Sequence, residues 1–153
     1  MSFQTDLLRQ SRKNLLGLIS PFSLEQLNQV PSGFKNNLAW HLGHVIVTHQ
    51  LICYRLANID VKVDEEIIGK YRKGTKPEGM ISEEEISFLK EQAVVLVNQF
   101  EEDLSKGIFV NFKEYHTSFG VILNSTDDSI SFNNIHEGLH LGYVMAMRKM
   151  IHH

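Results

Sequence analysis

Apolar residues recur along most of the chain at spacings of three and four, the repeat of one helix face, with polar residues between them. The first such stretch runs from about Phe3 to Ile19. Phe3, Leu7, Leu8, Leu15, Leu18 and Ile19 form its expected apolar face, and Pro21 stops it. Ser23 and Gln26 have capping-box spacing, which predicts a short helical turn before Pro31 and Gly33 break the chain. A second helix is expected from about Asn36 to Ala57. A third opens at Ser82, where Ser82 and Glu85 again form a capping box and Glu83, Glu84 and Glu85 suit the positive end of the helix dipole. Its seam is Ile86, Leu89, Ala93, Leu96, Val97, Phe100 and Leu104. A fourth helix is expected from about Ser129 to Ile151, behind the cap-like Thr126, Asp127 and Asp128.

Two connections, at about 58–81 and 105–128, are long enough to cross a whole bundle. The second contains Ile108 to Phe112 and Phe119 to Leu123, each with the composition of a short strand. The expected fold is all-α, a four-helix bundle with at least one crossover connection. With 153 residues, no repeat and no Pro-rich linker, one domain over residues 1–151 is expected. His152 and His153 read as the stub of a purification tag and are set aside.

Composition changes this picture mainly by exclusion. Hydrophobic residues at 42% and charged residues at 22% describe a globular chain and not a disordered one. A net charge of -3 lacks the basic footprint of a nucleic-acid binder. A single cysteine cannot form an internal disulfide or a Cys-rich zinc site, which suits a reducing cytoplasm. Asp6, Arg9, Arg12 and Lys13 interrupt the first segment, so it is no signal core, and no run approaches the ~18 apolar residues of a membrane span. A cytoplasmic protein with neither nucleic-acid nor membrane partners is expected.

The count that stands out is eight histidines. His136 and His140 are one turn apart, about 40° around the helix, so both imidazoles can reach one metal ion. They interrupt an apolar stripe of Phe132, Tyr143, Met147 and Ile151, where unpartnered imidazoles would be costly. The second helix offers His41, His44 and His49 as a third ligand; His49 is about 140° around from His44, so those two cannot face one point. Three imidazoles leave a fourth position open, the arrangement of a catalytic zinc site. Imidazole ligation by itself does not choose among zinc, nickel, iron and manganese. Cys53 lies about 180° from His44 and reads as structural.

His136 to His140 also spells H-E-x-x-H, the zinc-protease pattern with Glu137 as general base. Only 13 residues follow His140, and none is Glu or Asp, so the usual downstream ligand has no candidate. Glu137 as a base in another metal-assisted reaction, or as a solvated helix residue, fits better.

Three stretches together, NNLAWHLGHV (Asn36 to Val45), KYRKGTKP (Lys70 to Pro77) before the Ser82 cap, and HEGLHLGY (His136 to Tyr143), resemble the DinB-like superfamily of metalloenzymes. The resemblance spans nearly the whole chain and implies a four-helix bundle of up-down-down-up topology. It implies a divalent metal, zinc or nickel, held by His44, His136 and His140. His44 matches because it follows Gly43 and precedes an aliphatic residue, as His41 does not. It also implies transfer of a low-molecular-weight thiol or hydrolysis, acting on a small-molecule substrate; a homodimer is expected beside it. Many members carry Gly-Gln after the last ligand; here Gly142 is followed by Tyr143, whose phenol is either a further catalytic group or a core aromatic. The alternative of another class is a non-catalytic metal- or ligand-binding module of a stress response.

Weaker candidates remain. His116 would line a pocket mouth or lie on the surface. Lys70, Arg72, Lys73 and Lys76 form a basic loop able to attract an anion, and Trp40 reads as helix packing.

Overall fold

The computed structural model describes residues 2–151, and the protein is all-α apart from one small hairpin. The expectation for His152 and His153 falls outside the described residues. The first helix, α1 (Phe3–Ile19), is capped by Ser2 and has the predicted bounds. Its buried face differs. Leu8, Arg12, Leu15 and Ile19, spaced four, three and four, turn inward, while Phe3 is 76% exposed and Leu7 is also outside. A charged residue belongs to the buried stripe, so counting apolar positions misplaced its first turn.

The short α2 (Leu24–Asn28) has both bonds of the Ser23–Gln26 capping box. Asn37 caps α3 (Leu38–His49), which runs on through a π-helical turn (Gln50–Tyr54) and a 3-10 turn (Arg55–Ala57) to Asn58 at φ 58°. The predicted helix is thus present but changes pitch over its last two turns. The 58–81 connection contains an unforeseen helix, α4 (Glu65–Tyr71).

In α5 (Glu83–Ser105) the Ser82 side chain accepts from the Glu85 N–H. The reciprocal half of the predicted box is replaced, because the Glu85 carboxylate accepts from Lys70 and Tyr71. Strands β1 (Tyr115–His116) and β2 (Ile122–Leu123) pair antiparallel, with Tyr115 opposite Leu123. The segment 119–123 therefore supplies a strand, whereas 108–112 does not; Phe109 packs on Tyr54 and Phe100 instead. Finally, α6 (Thr126–Met147) is capped by Ser125, so Thr126, Asp127 and Asp128 form its first turn and not its cap, and a 3-10 turn (Arg148–Met150) ends it.

Helix α3 is the central element, buried along its length and packed on α4, α5 and α6, while α1 packs on α5 and α6. The main core gathers Leu38, Leu42 and Ile46 with Leu89, Val144 and Met147. Burial of this apolar surface stabilises the packing, at roughly 25 cal/mol per Å² removed from water. No helix among the described residues is long and apolar enough to cross a membrane.

Candidate metal centre

Helices α3 and α6 bring His44, His136 and His140 together, with one ring nitrogen of each within 4.8 Å of the others. His44 Nε2 is 3.3 Å from His136 Nε2, and His140 Nε2 is 3.1 Å from the same atom. His44 is buried, and the other two are partly buried. The cap that starts α3 sets this register, since Asn37 Oδ1 accepts from the Trp40 N–H at 2.8 Å one turn before His44.

The hydrogen bonds around the cluster assign its tautomers. Asn36 Oδ1 can only accept, so His41 Nε2–H donates to it at 3.1 Å. A neutral His41 then has a lone pair on Nδ1, and His140 Nδ1–H donates to it at 2.8 Å. His44 Nδ1–H donates to the Tyr71 carbonyl at 2.8 Å. Both His140 and His44 are left with Nε2 lone pairs, and both approach His136 Nε2. One N–H can serve only one of these acceptors, the only other donor near His44 Nε2 among the described residues is the Thr48 hydroxyl at a long 3.4 Å, and His136 Nδ1 is buried without a hydrogen-bond partner. A cation among the three Nε2 atoms satisfies all of them. A tetrahedral ion bound at 2.0–2.1 Å needs nitrogens about 3.3 Å apart, and the separations of 3.1 and 3.3 Å match. The residues present therefore fit a divalent metal.

Electrostatics favour the same state. Burial, followed by the charge of His44, lowers His41 to about 4. Burial lowers His136 to about 3, with His44, His41 and Lys73 adding to it. Burial and the neighbouring His136, His44 and His41 lower His140 to about 2. His44 is lowered by burial, partly opposed by its bond to Tyr71. His41, His136 and His140 are neutral near pH 7, the form that ligates, and His44 is shifted in the same direction.

Two close contacts hold His44. Its ring stacks on Trp40, with centroids 4.4 Å apart and planes at 12°. Gly43 lets the Tyr71 ring approach, because a Cβ at that position would lie 2.4 Å from it. The glycine in the L-G-H stretch therefore permits the contact that places the Tyr71 carbonyl on His44. Trp40 donates through Nε1 to Thr75 Oγ1 at 3.0 Å, and so contributes to the site beyond the helix packing expected of it.

The other candidates fall in different places. Glu137 is 3% exposed and is held by Arg12, whose Nε donates to both carboxylate oxygens at 2.8 Å. It is buried and not a solvated residue. Tyr143 is 55% exposed and stacks on His41 at 5.7 Å, at the rim and not in the core. His49 is buried against Phe100 and Tyr54, away from the cluster. His116 is exposed and pairs with Glu114. Cys53 is buried, and burial raises its thiol to about 12, consistent with a structural role.

Sequence reasoning missed two residues that contact these side chains. His41 was set aside, although it shares a face with His44 at a spacing of three. Arg12 was overlooked, although it occupies the Leu8–Leu15–Ile19 stripe. Among families, the model described as the DinB superfamily matches residues 7–144. No curated protein matches the chain.

Proposed function

The chain belongs to the DinB superfamily, and from that premise we propose that it is a metal-dependent enzyme acting on a small molecule by thiol S-transfer or hydrolysis. His44, His136 and His140 hold a divalent ion, zinc or nickel, with a further coordination position open. The observation that carries this reading is the convergence of two Nε2 lone pairs on His136 Nε2, at 3.3 and 3.1 Å. Once bound, such an ion acts as a Lewis acid that lowers the pKa of a water or thiol at its open position.

The protein supplies orientation. Tyr71 and His41 hold protons on the outer nitrogens of His44 and His140, leaving the inner ones free. Trp40 and Tyr71 wall the cluster on the α3 side. The Arg12–Glu137 pair ties α6 to α1, and Arg12 Nη2 also donates to the Val45 carbonyl of α3 at 3.3 Å. In this reading Glu137 positions the helix carrying His136 and His140, and is not the general base of an H-E-x-x-H protease. Tyr143 is placed to meet substrate at the rim, beside His41.

The same proposal includes one domain over residues 1–151, with the four long helices arranged up-down-down-up. Gln4 bonds Asn134 and Arg12 bonds Glu137, which supports α1 and α6 running in the same direction. A homodimer through the exposed Ile135, Leu139 and Met145 of α6 completes the proposal, and sedimentation tests it.

The deciding experiment is elemental analysis of the purified protein beside its His44→Ala variant, followed by an activity screen over thiol and electrophile pairs. One equivalent of metal lost with His44, and turnover that depends on it, is the expected result. A metal content unchanged by the substitution, or full activity after chelation, overturns the reading.

A further inference from the structure

His44 is buried, whereas His136 and His140 are partly exposed, so the cluster opens to solvent along α6. Phe132, His136, His140 and Tyr143 follow one another on that helix at steps of four, four and three, which places them on one face. A ring from another segment meets each end of this row. Phe119, ahead of β2, lies 6.1 Å from Phe132. Phe34, in the turn before α3, lies edge-on to Tyr143 at 6.3 Å and 76°. That turn is closed by the Phe34 N–H, which donates to the Pro31 carbonyl at 3.1 Å.

The two ends are not equivalent. Tyr143 packs on the cluster itself, with its ring 5.7 Å from His41 at 29° and 6.4 Å from His140 at 32°. Phe132 makes no ring contact with a histidine among the described residues, and packs instead on the core around Cys53 and Ile130. The rings on the α3 side, Trp40 and Tyr71, are buried, whereas Tyr143 is 55% exposed and its phenol has no hydrogen bond among the described residues. Tyr143 is therefore the aromatic side chain that both touches a ligand histidine and offers free surface. His41 and Phe34 already set its orientation. A ring held in this way offers rigid contact area with only two torsions to fix. Ring pairs at centroid separations of about 4.5–7 Å also gain more than their apolar area supplies.

We propose that Tyr143 is a specificity-determining residue of this site and selects small molecules that carry an aromatic ring a few bonds from the atom that meets the metal. The proposal rests on the three-histidine metal site described above and adds its substrate class. The selecting contact is made by the ring of Tyr143 and not by its hydroxyl.

The test uses the full chain loaded with cobalt(II), titrated with 2-phenylethanethiol and with 2-cyclohexylethanethiol, which share one linker and differ in the aromaticity of the ring. Thiolate-to-cobalt absorption reports each Kd. Their ratio is compared between proteins, which cancels any change in the metal site that both thiols feel. Relative to wild type, Tyr143→Leu is expected to lower the preference for the phenyl compound by about fivefold. Tyr143→Phe keeps the wild-type ratio, and so does Phe132→Leu. An unchanged ratio in Tyr143→Leu, or a loss in Phe132→Leu as large as that in Tyr143→Leu, overturns the role of Tyr143 while leaving the metal site standing. A loss in Tyr143→Phe equal to that in Tyr143→Leu overturns the ring contact in favour of the hydroxyl. Failure of the wild-type protein to bind one equivalent of cobalt, or of either thiol to reach the bound cobalt, overturns the open metal site, and this inference with it.

Discussion

The Nδ1 atoms of His41 and His140 lie 2.8 Å apart, and because Asn36 takes the other proton of His41, the bond between the rings runs from His140 to His41. His41 therefore acts on the site by fixing the tautomer of a neighbour. Removing it leaves the proposed ligands intact but lets His140 turn or change tautomer. His41→Ala is expected to weaken zinc binding about 10–100-fold, and His44→Ala by considerably more. Competition with a chromophoric chelator measures both. Equal losses would mean that the wrong histidine of α3 has been assigned as ligand.

Gly43 allows a close approach that no side chain tolerates. A Cβ there would meet three atoms of the Tyr71 ring, the nearest at 2.4 Å. Gly43→Ala must displace Tyr71, and with it the carbonyl that holds His44. Overpacking of this kind typically costs about 1–3 kcal/mol. Chemical denaturation should show that loss together with weaker metal binding. A variant of wild-type stability and affinity would show that the loop after α4 does not support His44.

Arg12 and Glu137 form a buried ion pair at 2.7 Å, with Arg12 also donating to the Ala93 and Val45 carbonyls. Breaking such a pair from one side leaves a charge stranded in the interior and costs about 3–5 kcal/mol. Arg12→Leu and Glu137→Leu should each be strongly destabilising, and the double variant less so than their sum. A double-mutant cycle in urea checks this. If Glu137→Gln abolished turnover while leaving stability and metal content unchanged, Glu137 would be a base after all.

Proton counts follow from the lowered histidines. His41, His136 and His140, at about 4, 3 and 2, bind no proton near pH 7, so zinc displaces almost none from them. Calorimetry in buffers of different ionisation enthalpy should find less than about one proton released per zinc. The stability consequence has a definite sign. Unfolded histidines protonate near pH 6.5, whereas the folded ones resist until much lower pH. Between those values the unfolded state holds more protons, so the metal-free protein loses stability as pH falls below about 6.5. A denaturation midpoint that rises on acidification through this range would contradict the assigned neutral cluster.

Much of the framework was legible from spacing. The helix bounds at Phe3 to Ile19, the caps at Ser23 and Ser82, and the pairing of His44 with His136 and His140 follow from periodicity, capping rules and motif resemblance. The exceptions share a cause. Arg12 stood only as one of the charges interrupting the first segment, because its partner lies 125 positions away. The exposed Phe3 and the overlooked α4 likewise depend on neighbours that no local window contains.

By itself, then, the amino-acid order determined that the chain is helical, where its long helices begin and end to within a few residues, and which histidines were candidates to meet. Helix formation depends on interactions three or four residues apart, and these are visible in the order of the residues. Only the tertiary structure decided which nitrogen of each imidazole faces inward, that Glu137 answers to Arg12, and that the Tyr71 carbonyl is held on His44. Those outcomes depend on the direction of hydrogen bonds and on desolvation, which exist only once distant segments have packed together.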